Sequence, residues 1–105
     1  GLIPTIVTSI TNDTLVLNNH QEARLGTLAT LILTMPSTID DLYETNLVFT
    51  SGATATALTY SATPIKWVGD DCDADQDFIP EPNKTYEINI KKIDSTNIIA
   101  RVGAV

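Results

Sequence analysis

Apolar and polar residues alternate along much of the chain with the period of two that is typical of a β-strand. The clearest run extends from Lys84 to Lys91, where Tyr86, Ile88 and Ile90 share one face and the intervening polar residues share the other. A second run extends from Thr27 to Met35. We expect the face of that run formed by Ala29, Leu31, Leu33 and Met35 to lie in the core.

Less regular runs predict further, shorter strands. They cover residues 6–11, 14–17, 47–49, 53–60, 65–67 and 98–102. His20–Arg24 could be one helical turn, but it is too short to be stable alone, and we favour loop or strand. Ile39–Glu44 starts after Ser37 and Thr38, so one interpretation of it is a single helical turn. Thr63–Pro64 predicts an extended lead-in to the strand at residues 65–67, because a residue before proline is kept out of the helical region. Asp94–Asn97 predicts a hairpin connection.

Turn-forming residues recur about every ten positions, which is the spacing of a sandwich or a barrel. We therefore predict an all-β, antiparallel β-sandwich, jelly-roll or immunoglobulin-like, of about seven to nine short strands. The chain is long enough for one core, so residues 1–105 should form a single domain. Pro4 lacks an amide donor and places the first strand at a sheet edge.

The composition is that of a folded acidic domain, with 43% hydrophobic residues and a net charge of −7. Six basic residues cannot neutralise many phosphates, so nucleic acid and anionic membrane surfaces are excluded as partners. No apolar run is long enough to insert into a membrane, and no signal peptide is visible. The charge is compatible with metal ions, neutral sugars or protein partners. The chain begins with Gly1 rather than Met, which suggests a fragment or module of a longer protein.

The densest acidic segment offers candidate ligands for Ca²⁺. Aspartates occupy every second position: Asp71, Asp73, Asp75 and Asp77. Alternating oxygen ligands of this kind can surround a hard cation. The segment departs from an EF-hand loop, since Gln76 stands where glycine is required and Pro82 where glutamate is required. A looser Ca²⁺ site remains one interpretation, and a solvated loop between strands is the other; no other cofactor is expected.

Cys72 and His20 are the only residues of their types. One cysteine cannot form an internal disulfide, which suits a protein that folds in a reducing cytosol. Asp71 and Asp73 flank Cys72 and oppose formation of its thiolate, so we interpret it as an incidental thiol. His20 has no second histidine or cysteine pair with which to hold zinc, and we expect an exposed loop residue.

Aromatic side chains offer a second kind of candidate site. Trp67 and Tyr60 could stack on a sugar ring, and core packing is the alternative for both. The carboxylates show no pair in a setting typical of glycoside hydrolases. The sequence also has no glycine-rich phosphate loop and no nucleophile elbow.

An ordered series of short motifs extends from Glu22 to Val102. The motifs are Glu22-x-Arg24-x-Gly26-x-Leu28, Leu31-x-Leu33-x-x-Pro36, Phe49-Thr50-Ser51-Gly52 with a Thr-rich strand, Ile65-Lys66-Trp67, Phe78-x-Pro80 and Asn83-Lys84-x-Tyr86-Glu87-Ile88. In order and spacing they resemble the small β-sandwich modules in structural proteins of tailed bacteriophages and prophages, which build fibres, baseplates and head appendages.

The resemblance implies a virion component without a catalytic site, made in the cytoplasm of a host bacterium and displayed outside the particle. Its partners would be other virion proteins, copies of itself with a trimer favoured, and a glycan of the host cell surface. The alternative is a carbohydrate-binding module of an extracellular bacterial protein, which should show an exposed aromatic pair. A small hydrolase domain is a third hypothesis and should show two carboxylates facing each other across a cleft.

Overall fold

The computed structural model of the protein describes residues 5–60 and 65–105. These residues form nine strands and no helix, which confirms the all-β prediction. The strands are β1 (Thr5–Val7), β2 (Thr14–Val16), β3 (Gln21–Leu28), β4 (Thr30–Thr34), β5 (Glu44–Ser51), β6 (Ala57–Tyr60), β7 (Ile65–Gly69), β8 (Lys84–Lys92) and β9 (Ile98–Ala104). Thr63 and Pro64, where an extended segment is predicted, lie outside the described residues. So does Pro4, which is predicted to place the first strand at a sheet edge.

The strands are divided between two sheets. One has six strands in the order β1-β3-β5-β8-β9-β7, and the other has three in the order β2-β4-β6. From β1 to β7 the chain alternates between the sheets, and each of the strands β1 to β4 pairs with the strand two places further along the chain. These pairs are parallel, as in stacked coils.

The predicted antiparallel arrangement is therefore wrong for most of the fold. Among the seven pairings of the described strands, five are parallel and only β5–β8 and β8–β9 are antiparallel. The alternation of apolar residues fixes which face of a strand is buried, but it carries no information about the direction of the neighbouring strand. Tight turns favour antiparallel neighbours, and here most connections instead lead to the other sheet.

Buried side chains from both sheets belong to a single hydrophobic cluster. In β8 the predicted inward face is confirmed, because Tyr86, Ile88 and Ile90 are all buried. The same alternation in β5 buries Leu47 and Phe49. Burial of large apolar side chains is the main stabilising term, at about 25 cal/mol for each Å² removed from water.

The predicted strand at Thr27–Met35 is two strands, because the chain leaves one sheet for the other at Ala29. Leu31 and Leu33 are buried as expected, whereas Ala29 is exposed. The alternation continues through the bend, so the sequence pattern does not reveal it. The segment at His20–Arg24, left open between loop and strand, becomes strand from Gln21 onwards.

Two other segments also differ from the prediction. Residues 53–56 are a turn rather than strand, and the Ser51 hydroxyl accepts a hydrogen bond of 2.9 Å from the Thr56 amide there. Residues 39–43 form no helical turn. Instead, the Asp40 carboxylate accepts a hydrogen bond of 3.0 Å from the Leu42 amide, which is a side-chain turn that competes with helix.

Candidate functional site

Five aromatic rings lie together in the core beneath the acidic loop, which we define as residues 70–79. Trp67 stacks on Phe78 with 5.4 Å between ring centroids, and the Phe78 ring contacts Tyr86 edge-on at 4.9 Å. Phe49 lies 5.5 Å from Tyr86, and Tyr60 lies 5.2 Å from Trp67. Offset and edge-on pairs of this kind each add about 0.5–1.5 kcal/mol beyond the area they bury.

The two predicted sugar-stacking residues differ in exposure. Trp67 is 0% exposed, so neither face of its indole is open to a sugar ring, and core packing describes it in this structure. Its Nε1 has no hydrogen-bond partner among the residues described. Tyr60 is half-buried, and its hydroxyl donates a hydrogen bond of 3.2 Å to Asp77. Tyr60 therefore connects strand β6 to the acidic loop.

The acidic loop is held by its own backbone and by the strands beneath it. The Trp67 amide donates to the Gln76 carbonyl at 3.0 Å, and the Asp70 amide donates to the Val102 carbonyl at 3.0 Å. Within the loop, one oxygen of Asp73 accepts hydrogen bonds from the amides of Asp75 and Asp77 at 2.9 and 3.1 Å. A carboxylate that accepts hydrogen bonds from two backbone amides in this way forms a side-chain turn, which determines the local shape of the loop.

Asp71 lies where the loop meets the core. Its carboxylate accepts a hydrogen bond of 2.6 Å from the Tyr86 hydroxyl and forms an ion pair of 3.0 Å with Lys84, which also contacts Glu81 at 2.8 Å. The Tyr86 and Lys84 hydrogen bonds lower the pKa of Asp71. Burial, followed by the bond to Asp71, raises the pKa of Tyr86 to about 12. Asp71 is therefore a charged acceptor at neutral pH and Tyr86 a neutral donor.

The four aspartates of the predicted Ca²⁺ site thus have different surroundings. Asp71 faces Lys84 and Tyr86, Asp73 faces backbone amides, and Asp77 faces Tyr60. Across residues 5–60 and 65–105, no group of three or more histidine, cysteine, aspartate or glutamate side chains is placed to hold a metal ion. The loop does not bring the four carboxylates together, and the Ca²⁺ site stays a prediction.

Cys72 is half-buried within the loop, with its sulfur 3.5 Å from the Asp70 carbonyl oxygen. Burial, followed by the charges of Asp71, Asp73 and Asp70, raises the pKa of the thiol to about 11. At neutral pH the side chain is the protonated thiol, which is a poor nucleophile.

A polar pocket on the six-stranded sheet was not anticipated from the sequence. It has a volume of about 190 Å³ and lies at the N-terminal ends of the parallel strands β3 and β5. We call it the β3–β5 pocket. Its lining residues are His20, Gln21, Glu22, Glu44 and Asn46.

Hydrogen bonds fix the orientation of the amides beside this pocket. The Asn89 side-chain nitrogen donates to Glu44 at 2.8 Å and to Asn46 at 2.9 Å. A carboxylate only accepts hydrogen bonds, so the nitrogen of Asn89 must face Glu44, and Asn46 must then accept with its oxygen. The NH₂ group of Asn46 consequently has no partner among the described residues.

His20 is held in an uncommon backbone conformation at the rim of the same pocket. Its φ is 54°, in the left-handed region that few residues other than glycine adopt. The His20 amide donates to the Glu44 carbonyl at 2.9 Å, and the His20 carbonyl accepts from the Thr5 amide at 2.8 Å. These bonds tie His20 to strands β5 and β1. His20 lies in a turn before β3, as the prediction of a loop residue requires, but it is half-buried rather than exposed.

The pocket could have been foreseen only if the strand pairing were known. Glu22 and Asn46 are neighbours through the parallel register of β3 and β5, and Asn46 is opposite Asn89 through the antiparallel register of β5 and β8. In the sequence they are ordinary outward-facing polar residues of three separate strands. Their meeting depends on the parallel pairing, which the sequence pattern did not predict.

Comparison with known proteins gave no relative: no protein-family model, no curated protein and no solved structure matches this chain. The residues described also include no helix of the length and apolarity needed to cross a membrane.

Proposed function

We propose that this chain is a non-catalytic structural and adhesive module of a tailed-bacteriophage virion, from a fibre, a baseplate or a head decoration. It would be made in the host cytoplasm and displayed outside the particle among other virion proteins. The observation that carries the proposal is the ordered motif series between Glu22 and Val102. A fold alone does not determine a function, so the proposal depends on the resemblance of this motif series.

The structural roles of the motif residues support the resemblance as more than a chance match. Phe49, Trp67, Phe78 and Tyr86 are all members of the buried aromatic cluster. In the Phe-Thr-Ser-Gly motif, the carbonyl of Gly52 accepts a hydrogen bond of 2.9 Å from the Asn83 amide. The motifs therefore coincide with residues that join the turns and the acidic loop to the core. Such residues are expected to recur among proteins of one fold.

The finer fold that we propose is a sandwich in which the three-stranded sheet covers the inner face of the six-stranded sheet. Leu15, Leu31 and Leu33 from the smaller sheet belong to the same buried cluster as Leu47 and Ile88 from the larger one. Two sheets that share one apolar cluster are typical of such packing. A rigid, mostly hydrogen-bonded domain of this kind suits a part that works outside a particle.

The aromatic residues give less support to the alternative of a carbohydrate-binding module that uses an aromatic platform. The chain has six aromatic residues, and all except Tyr60 are buried. The exposed pair that this alternative calls for is therefore lacking in the described structure.

The hydrolase hypothesis calls for opposed carboxylates. Glu22 and Glu44 do line one pocket, but Glu22 contacts Arg24 and Glu44 contacts Asn89.

The proposal is tested by growing a culture that expresses the chain and purifying its virions on a density gradient. The gradient fractions are then probed with an antibody against the chain. The chain should band with the particles and resist removal by salt washes. Recovery only in the soluble fractions would overturn it. Size-exclusion chromatography with light scattering tests the proposed self-assembly, for which we expect a trimer; a monomer would remove self-assembly by this domain alone.

A further inference from the structure

We propose that the β3–β5 pocket binds one ring of a neutral sugar through the ring's hydroxyl groups. The five residues that line the pocket all have polar side chains, and none of them is Phe, Trp or Tyr. Its volume of about 190 Å³ is below the range of about 300–1,000 Å³ typical of sites for drug-sized ligands. That size suits a single sugar ring better than a peptide or a long oligosaccharide.

The unpaired hydrogen-bonding groups of the pocket are a mixture of acceptors and donors. Glu22 and Glu44 each use Oε2 within the protein, towards Arg24 and Asn89, which leaves Oε1 of both as an acceptor. The NH₂ group of Asn46 is left as a donor. A sugar hydroxyl both donates and accepts, so neighbouring hydroxyls can satisfy acceptors and donors that lie side by side.

His20 adds a ring that can donate from one nitrogen and accept at the other. Its side chain has no hydrogen bond to any residue described, and the backbone bonds to β1 and β5 determine where it lies. His20 is one of six described non-glycine residues at positive φ, a region that histidine adopts more readily than most residues. The imidazole is therefore a component of the pocket that the surrounding strands hold in place.

The charge near the pocket favours a neutral ligand. Arg24 lies 3.0 Å from Glu22, and Lys91 is directly opposite Glu44 on strand β8. The ion pair with Arg24 reduces the attraction of Glu22 for a free cation, and Lys91 adds a positive charge on the strand next to Glu44. The net charge of −7 disfavours an acidic sugar.

The source of the sugar is a separate question, and it rests on the proposed virion function. Two sources offer the same chemistry, which is a neutral ring with adjacent hydroxyls. One source is a free saccharide, and the other is a unit of a bacterial surface polysaccharide. If the chain is an external virion module, the polysaccharide is the ligand. The proposed pocket residues themselves are argued from hydrogen bonds and do not depend on that function.

The test is a titration followed by amide NMR spectra, with methyl glycosides of several neutral hexoses, of N-acetylhexosamines and of rhamnose as probes. We expect at least one glycoside to give saturable shifts centred on residues 20–22 and 44–46. No saturable shift with any probe, or shifts centred elsewhere, would overturn the proposal.

Two variants and a matched control assign the binding to the pocket. Asn46→Asp replaces the free NH₂ donor by an acceptor but keeps the bond from Asn89, and Glu44→Gln replaces the free acceptor by a donor. Both should weaken binding at least tenfold. Glu87→Gln makes the same change as Glu44→Gln on the same sheet face but outside the pocket, and it should leave binding unchanged. Equal losses in Glu44→Gln and Glu87→Gln would contradict the assignment.

His20→Gly provides a variant that is expected to fold. Glycine adopts positive φ without strain, so this change should keep or raise the melting temperature while it removes the imidazole. Lower affinity in a stable His20→Gly protein supports a direct role of the side chain. Unchanged affinity would remove His20 from the site.

Failure of this inference can be distinguished from failure of the proposed function. Retention of purified surface polysaccharide by the wild-type protein, and its loss in Asn46→Asp, supports the polysaccharide as the source. Retention that is equal in both proteins overturns the pocket assignment and leaves virion membership intact. Glycoside binding by a chain that does not band with virions supports the pocket and overturns the virion function.

Discussion

Gly69 ends strand β7 where the acidic loop begins, and replacing it by alanine should destabilise the protein strongly. Its φ is +116°, which L-amino acids with a Cβ rarely adopt. A Cβ at this position would lie 2.2 Å from the carbonyl oxygen of Val102 on the paired strand β9. That neighbour is backbone, so no side-chain rotation can relieve the contact.

The magnitude follows from two costs. The strained φ contributes about 1–3 kcal/mol. Relieving the contact needs a movement of at least 0.8 Å to reach 3.0 Å, and it disturbs the hydrogen bond that the Asp70 amide donates to the same oxygen. A hydrogen bond is worth about 0.5–1.5 kcal/mol net. We therefore expect Gly69→Ala to lower the free energy of unfolding by about 2–4 kcal/mol, from a total of about 5–15 kcal/mol for a domain of this kind.

Gly26 is a matched control within strand β3. A Cβ there meets nothing within 4 Å, and its φ is not positive. Gly26→Ala should change stability by less than about 1 kcal/mol, in the stabilising direction, because alanine reduces the freedom of the unfolded chain.

Urea unfolding measures both variants through the fluorescence of Trp67, the only tryptophan, which is fully buried two residues before Gly69. The midpoint should fall clearly for Gly69→Ala and stay near the wild-type value for Gly26→Ala. If the two variants unfold within about 1 kcal/mol of each other, the close approach of β7 to β9 at this point is wrong.

Three further predictions concern the acidic loop and its contacts. Tyr86→Phe removes the hydrogen bond that the hydroxyl donates to Asp71 and the one that it accepts from the Glu81 amide. It should lower the free energy of unfolding, measured in urea, by about 1–3 kcal/mol. An unchanged midpoint would mean that these hydrogen bonds are not formed. If the acidic loop binds Ca²⁺, a chelator should lower the melting temperature by several degrees, whereas an unchanged melting temperature would remove the Ca²⁺ site. Cys72 has a pKa raised to about 11, so its rate of alkylation should be slow at pH 7 and keep rising up to about pH 11, whereas levelling off near the ordinary thiol pKa of about 8.5 would contradict its burial.

Asp94 gives a prediction for acid pH in the hairpin connection between β8 and β9. Hydrogen bonds from Asn97 and Thr96 lower its pKa to about 2. Because the folded-state pKa lies below the ordinary value, the ionised carboxylate stabilises the fold at pH above about 4, and this contribution is lost as pH falls through 2. The melting temperature of Asp94→Ala should therefore be below that of the wild type at pH 6 and converge with it near pH 2; a constant difference would contradict the assigned partners.

The last third of the fold could be predicted from the sequence in some detail. The inward face of β8, the strand at residues 98–102 and the connection at Asp94–Asn97 are all confirmed. These elements form a hairpin whose strands are neighbours in the chain, so alternation and turn chemistry are sufficient. The core position of Leu31 and Leu33 was also predictable, because alternation alone shows which face of a strand is buried.

The first two-thirds could not be predicted in the same way, because the chain there passes from one sheet to the other after each strand. Local patterns do not encode parallel partners that lie 16 to 27 positions away in the chain, such as Thr5 with Gln21 or Thr30 with Ala57. The candidate site shares this difficulty. Glu22, Asn46 and Asn89 meet only through two strand pairings of opposite direction, whereas the acidic loop was conspicuous in the sequence yet directs its carboxylates to separate partners.

Immunogold electron microscopy of purified virions, with an antibody against the folded domain, shows directly whether the chain is an external part of the particle. Gold particles are expected at a defined external position on intact virions, on a fibre, the baseplate or the head surface, and added purified protein should block the labelling. Virions that contain no labelled position, while the same antibody detects the chain elsewhere in the culture, would contradict this expectation.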